Sequence, residues 1–294
     1  MGTSKGESVD TRLSYSSSTL LQNCSQKYVY YKVDKVEVDK DCSVRDDSHF
    51  HYGTSFHYIL ENSMHEKPSN ISKMLEYCVQ NIGLKEEHIP HVHASVIQYL
   101  RLRKGSGFTA VACEYAIEHK SIVGYIDLIE KREDGTWYIS DLKTAASFYE
   151  SKISELPSNP QLNLYSSFYK DIAEKFNLNP DKFMGSRYLV ATKSKAKQQA
   201  RESYEEFVMR LVNKNLVKCI FVTIPKELMR IDETRKDIES LHKKSMKLRK
   251  GTLKPNRNFS YCNAFFRSCD YFSKCHGMEH SEFLKINKIV VERT

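Results

Sequence analysis

The stretch that decides the fold is residues 121–145, SIVGYIDLIEKREDGTWYISDLKTA. It reads as two strands and a turn: SIVGYIDLIEK and WYISDLKT are β-branched and aromatic, and Asp134-Gly135 between them is a turn signal. Asp127 and Asp141 each interrupt an otherwise apolar strand. Lys143 lies two residues beyond Asp141, so strand alternation puts both on one face. A carboxylate flanked by Ile126 and Leu128 is costly to desolvate unless a cation or a donor receives it. Two such carboxylates beside an ammonium suit a divalent-metal site, with the Lys steadying a water or an anionic oxygen. The same charges would also suit the wet face of a half-exposed sheet.

On either side the hydrophobic period switches between strand and helix. VACEYAIEH precedes the hairpin turn at Lys120-Ser121, and FMGSRYLVAT and KCIFVTIP follow as further strands. Helices are expected from a Ser16–Ser18 cap to Lys32, from Gly53 to Glu66, and over 68–104 with breaks at Gly83 and Pro90. Others are expected over 160–176, 197–214 and 226–250, with 34–50 as a loop. The fold class is therefore α/β: a central mixed β-sheet flanked by helices, with N- and C-terminal helical additions.

Length and composition narrow the function classes. The 294 residues are 40% hydrophobic, enough for a core, and no run approaches the roughly 18 apolar residues of a membrane span. The opening MGTSKGESVD has no apolar h-region, so a soluble cytoplasmic protein is expected. The net charge of +8 suits a polyanion such as DNA, and Lys193, Lys195 and Lys197 cluster; on its own this cluster would equally be a solvated surface. No G-x-x-x-x-G-K-[ST] run occurs, so ATP-driven unwinding would have to come from a partner.

In order, the chain carries GTSFHYILE, a strand Glu (Glu114), GYIDLI, DLKT and QLNLY. This series resembles the RecB-type branch of the PD-(D/E)XK nuclease superfamily. The LSYSSSTLLQNCSQKYVYY segment resembles that branch's opening helix. The resemblance implies a restriction-endonuclease-like core over about 53–224, within one nuclease domain spanning 13–294 behind a loose arm at 1–12. It implies that Asp127, Asp141 and His57 ligate Mg²⁺ or Mn²⁺, with the Leu142 carbonyl as a backbone ligand and Glu114 as an additional acid. Lys143 would position or help deprotonate the attacking water, and Gln161 and Tyr165 would hold substrate or orient the site. The third acid is Asp141 where Glu is commoner.

The activity implied is metal-dependent DNA hydrolysis. An exonuclease of recombination, repair, end processing or DNA degradation is the first reading, in a bacterial or phage-infected cell. A recombinase, an annealing protein or a helicase would be the partner. The alternatives are an endonuclease, a CRISPR-adaptation-type trimming nuclease, and a non-cutting DNA-binding module.

Eight cysteines in such a chain argue against a disulfide framework. Cys42, Cys78, Cys113 and Cys219 are scattered and read as small core residues. Several members of the branch hold an iron–sulfur cluster on one early and three late cysteines, which Cys24, Cys262, Cys269 and Cys275 would match, the last three in a segment at about 255–278. The six residues between Cys262 and Cys269 depart from the two found in those relatives. A [4Fe–4S] cluster, zinc on the same thiols, and no metal all stay open.

Overall fold

The computed structural model describes residues 10–38, 48–65, 70–262 and 269–277. Helices α1 (Tyr15–Asn23), α2 (Ser25–Tyr28), α3 (Ser48–His65), α4 (Ile71–Tyr77) and α5 (Ile89–Lys104) lead into strands β1 (Phe108–His119), β2 (Ile122–Arg132) and β3 (Trp137–Ala145). Short helices α6 (Glu150–Ile153), α7 (Pro160–Ser166) and α8 (Tyr169–Lys175) carry the chain to β4 (Phe183–Thr192). Then come α9 (Tyr204–Asn213), β5 (Cys219–Pro225), α10 (Ile231–Arg249) and α11 (Phe272–His276).

The five strands lie in chain order, β1-β2-β3-β4-β5. β2 and β3 run antiparallel, β3 and β4 parallel, and β4 and β5 antiparallel, so the sheet is mixed. The one parallel step needs a crossover, and α6 to α8 supply it. This is the helix-flanked mixed sheet expected from the sequence.

Residue contacts divide the chain into two compact units. One comprises 1–46, 118–124 and 236–294. Its apolar cluster is Leu13, Leu21, Tyr28 and Leu248, and Leu13 pairs by backbone with Ser121 and Val123. The other comprises 47–117 and 125–235. Its main core packs Phe56, Ile59 and Leu60 of α3 and Val92, Val96 and Tyr99 of α5 on Leu142 and Leu189 of the sheet. A second cluster joins Ala94 of α5 to Phe207, Val208 and Leu211 of α9. Glu130, fully buried on β2, is neutralised by Arg187 of β4 at 2.5 Å and Arg103 of α5 at 3.2 Å, and it accepts from Ser140 of β3. That ion cluster ties three strands and a helix together.

Several boundaries differ from the sequence reading, each for a local reason. The first helix is capped by Ser14 rather than Ser16–Ser18, because Ser14 and Ser17 bond reciprocally in a capping box. It does not run to Lys32: Cys24 is extended, at φ −156°, and its thiol caps α2 by accepting from the Lys27 amide. α3 starts at Ser48, five residues before Gly53. Pro90 sits in the first turn of α5, where a missing N–H costs nothing, so it opens that helix instead of interrupting it. Residues 197–203 are irregular, and α9 begins at the Ser203–Glu206 capping box. Cys42 and residues 1–9 of the expected arm lie outside the described residues.

Candidate active site

The site is built on β1, β2, β3 and α3. Asp127 lies at the end of the paired stretch of β2, next to the Leu128–Ser140 pair, and its Oδ2 accepts from the Leu142 amide at 2.6 Å. A carboxylate thus takes a main-chain donor of β3, which locks Asp127 beside the next strand. Gly53 makes room for α3: a Cβ there would meet Thr144 Oγ1 of β3 at 3.3 Å. One turn further on, His57 meets the acids.

His57 Nδ1 lies 3.8 Å from Asp127 Oδ1 and 3.9 Å from Glu114 Oε1. One ligand atom from each of His57, Glu114 and Asp127 lies within 4.8 Å of the others, the spread a single ion can bridge. Glu114 reaches this position from a left-handed backbone conformation, φ +45°, inside a strand. An L-residue held there is strained, and such strain concentrates at functional positions.

Asp141 sits deeper, at 1% exposure, and Lys143 Nζ donates to its Oδ1 at 2.8 Å. Its Oδ2 is buried without a hydrogen-bond partner. Burial pushes the Asp141 carboxyl up to about 6, against the pull of Lys143, and the Asp127 charge adds to the rise. Burial likewise raises Asp127, opposed by His57 and Lys143. Burial works against the charge on Lys143, but Asp141 and Asp127 outweigh it and hold the ammonium above its usual range. His57 is raised in the same way: burial opposes its charge, and Glu114 and Asp127 overcome that. The site thus gathers three carboxylates around one Lys and one His, with a bare oxygen left over. Hard oxygen donors, one imidazole and surplus negative charge are the donor set of a divalent cation.

The profile of the PD-(D/E)XK nuclease superfamily matches residues 12–276. The chain belongs to the PD-(D/E)XK nuclease superfamily. Among solved structures, a phage-related exonuclease from Haemophilus somnus 129PT is similar at 12% identity and a TM-score of 0.32, over 68% of this chain and 95% of that one. No curated protein matches.

Asp141-Leu142-Lys143 has the acid-x-Lys pattern of the superfamily's name. Gln161 and Tyr165 lie on α7, which packs on β3 and β4. Gln161 Nε2 donates to the Tyr165 hydroxyl at 3.3 Å. Burial raises the Tyr165 phenol, as do the charges of Asp127 and Asp141, which places it within their field. Lys193 lines the same cavity as the His57 trio, with its Nζ 4.6 Å over the Tyr52 ring; Lys195 and Lys197 are exposed on the irregular segment after β4. The sequence reading left Glu114 at the margin, whereas the structure gives it a full place beside His57 and Asp127. Its left-handed backbone inside a strand is a feature no motif spells.

Cys24, Cys262, Cys269 and Cys275 line one cavity of the first unit, with Lys27, Arg257 and Tyr271. The Cys269 amide donates to the Cys262 carbonyl at 2.7 Å, which draws the two late cysteines together. Burial raises the thiols of Cys262, Cys269 and Cys275, and neighbouring thiols of the group raise each further. Cys78 is buried in the core, Cys113 lies beside Met64, and Cys219 packs against the main core. Among the described residues no helix is long and apolar enough to cross a membrane.

Proposed function

We propose that the chain is a divalent-metal-dependent deoxyribonuclease that hydrolyses phosphodiester bonds, acting as an exonuclease of the RecB type. The observation that carries the reading is the convergence of His57, Glu114 and Asp127 beside the Asp141–Lys143 pair. His57, Glu114 and Asp127 would hold Mg²⁺ or Mn²⁺, with Asp141 Oδ2 and the Leu142 carbonyl as further donors. The bound ion supplies positive charge to the scissile phosphate and lowers the pKa of water.

The chain's own groups do the rest. Asp141 fixes the Lys143 ammonium in place, where it attracts an anionic phosphate oxygen and orients the attacking water. Asp127 is held to β3 by the Leu142 amide, so its second oxygen is presented in one direction. Gln161 steadies the Tyr165 hydroxyl for contact with substrate. The test is incubation with end-labelled linear and closed circular DNA, with and without Mg²⁺ or Mn²⁺. Metal-dependent loss of linear DNA alone is expected. Cutting of the circle would replace the exonuclease by an endonuclease, and no cutting of either would sink the nuclease assignment. A recombinase, an annealing protein or a helicase is the partner such an activity calls for, in the cytoplasm.

The four thiols of the first unit are proposed as ligands of a [4Fe–4S] cluster. Their common cavity and mutual electrostatic effect support it. Anaerobically purified protein should be brown, and Cys24→Ser and Cys275→Ser should each bleach it while Cys219→Ser does not. Colourless protein with stoichiometric zinc would put zinc on these ligands. Colourless, metal-free protein would leave them as plain thiols.

A further inference from the structure

The cavity around the metal-ligand trio, about 900 Å³, is lined by more than catalytic groups. Phe50, Tyr58, Tyr77 and Tyr125 line it together with His57, Glu114, Asp127 and Lys143. Tyr125 is two residues before Asp127 on β2, so both side chains share a face of the sheet, and Tyr125 is 58% exposed. Tyr58 follows His57 on α3, and the Tyr77 ring stacks on it with centroids 4.7 Å apart and planes 16° from parallel. Tyr77 remains 44% exposed and Phe50 66%. Large exposed rings scattered singly mean little, but several around one acidic site are a surface waiting for a flat partner.

We infer that these rings are a stacking platform for unpaired nucleobases, so that the strand delivered to Asp141 and Lys143 is single-stranded where it is cut. This deepens the nuclease reading and rests on it. In a duplex each base is covered on both faces by its neighbours, and the outside offers phosphates, which Lys and Arg receive. Among the described residues this cavity offers Lys143 and Lys193 as its only Lys or Arg, against Glu61, Glu114 and Asp127. Its rings fit instead the exposed π-faces of a single strand, which stack on aromatic side chains whatever the base. The volume is in the range of small-ligand sites, roughly 300–1,000 Å³, which suits a few nucleotides of one strand.

The experiment measures binding of a labelled single strand and of a blunt hairpin duplex by anisotropy, without divalent cation so that nothing is cut. Tyr77→Ala and Tyr125→Ala should each weaken single-strand binding about 5- to 150-fold, the equivalent of one lost base stack. Tyr77→Phe and Tyr125→Phe should keep it, and duplex binding should not move. A strand with abasic positions should bind the parent as weakly as the Ala variants bind intact strand. Equal loss on both DNAs, full binding of the abasic strand, or no loss in the Ala variants overturns the platform. Cleavage of the same labelled strand by the parent with Mg²⁺ is run alongside. If the parent cuts and the Ala variants bind normally, the platform alone fails; if the parent never cuts, the nuclease reading fails.

Discussion

The charges of Asp127, Asp141 and Lys143 influence one another, and the proposed reaction gives each a distinct task. Asp127→Asn should cost the ion a charged ligand, Asp141→Asn should free Lys143, and Lys143→Ala should leave Asp141 buried without its cation. Each should lower the cleavage rate by about 100-fold or more, the scale for losing one preorganised electrostatic group, while folding and DNA binding persist. Near-normal cleavage by any of the three purified variants would refute the assignment. These residues stood out in the sequence through the ordered series of motifs around them, because the charges alone would equally have suited the wet face of a half-exposed sheet. Tyr125 did not, since an aromatic residue in a strand is ordinary until its exposure is known.

At the scale of elements, Gly185 of β4 takes φ +122°, and a Cβ there would collide with the Ile224 carbonyl oxygen and sit 2.7 Å from the Lys226 amide. The β3–β4 register shifts at this point, with Trp137 opposite Phe183 and Tyr138 opposite Gly185. Gly185→Ala should therefore destabilise the sheet by about 3 kcal/mol or more, read as a lower urea midpoint. A midpoint within error of the parent would show that β5 yields. The α5–α9 packing makes a second prediction. His91 of α5 packs edge-on against Phe207, and burial, then the neighbouring His88, lowers its pKa. Above the unfolded value near 6.5 the ring is neutral in both states and stability is full. As pH falls below it, the unfolded chain takes a proton that the folded one resists, and stability is lost. His93 adds to the fall in the same sense. His91→Leu should reduce the loss of urea midpoint between about pH 7.5 and about pH 5.5; an unchanged slope would refute it. Strand positions were legible almost residue by residue, whereas helix ends were not. Ends depend on which side chain bonds which amide, and Ser14, Cys24 and Pro90 decided that locally.

On the scale of the whole molecule, the chain carries +8 net charge while its cleft is acidic. The electrostatic share of DNA affinity should thus come from lysines away from the cleft and fall steeply with salt, as phosphate neutralisation releases counterions. Reversing Lys195 and Lys197 to Glu should lower affinity and flatten the slope of log affinity against log salt by about 2, roughly one for each phosphate that is no longer neutralised. An unchanged slope would place the DNA elsewhere. The family resemblance already grouped Cys24 with Cys262, Cys269 and Cys275, and Glu114 with His57; what the sequence could not display is the stacking of Tyr77 on Tyr58. Ordered motifs name the family, yet only the folded chain shows which neighbours each residue acquires.

The left-handed conformation of Glu114 bears on the protein's tolerance to change. Its backbone strain, of order 1–2 kcal/mol, and its repulsion with Asp127 both vanish if residue 114 becomes glycine, a gain offset in part by the loss of its attraction to His57. Glu114→Gly should melt at the same temperature as the parent or higher, despite the flexibility glycine adds to the unfolded chain, and should cleave far more slowly. Selection for thermal robustness alone would not protect this position, so a variant library screened only for stability should accumulate inactive proteins changed at residue 114.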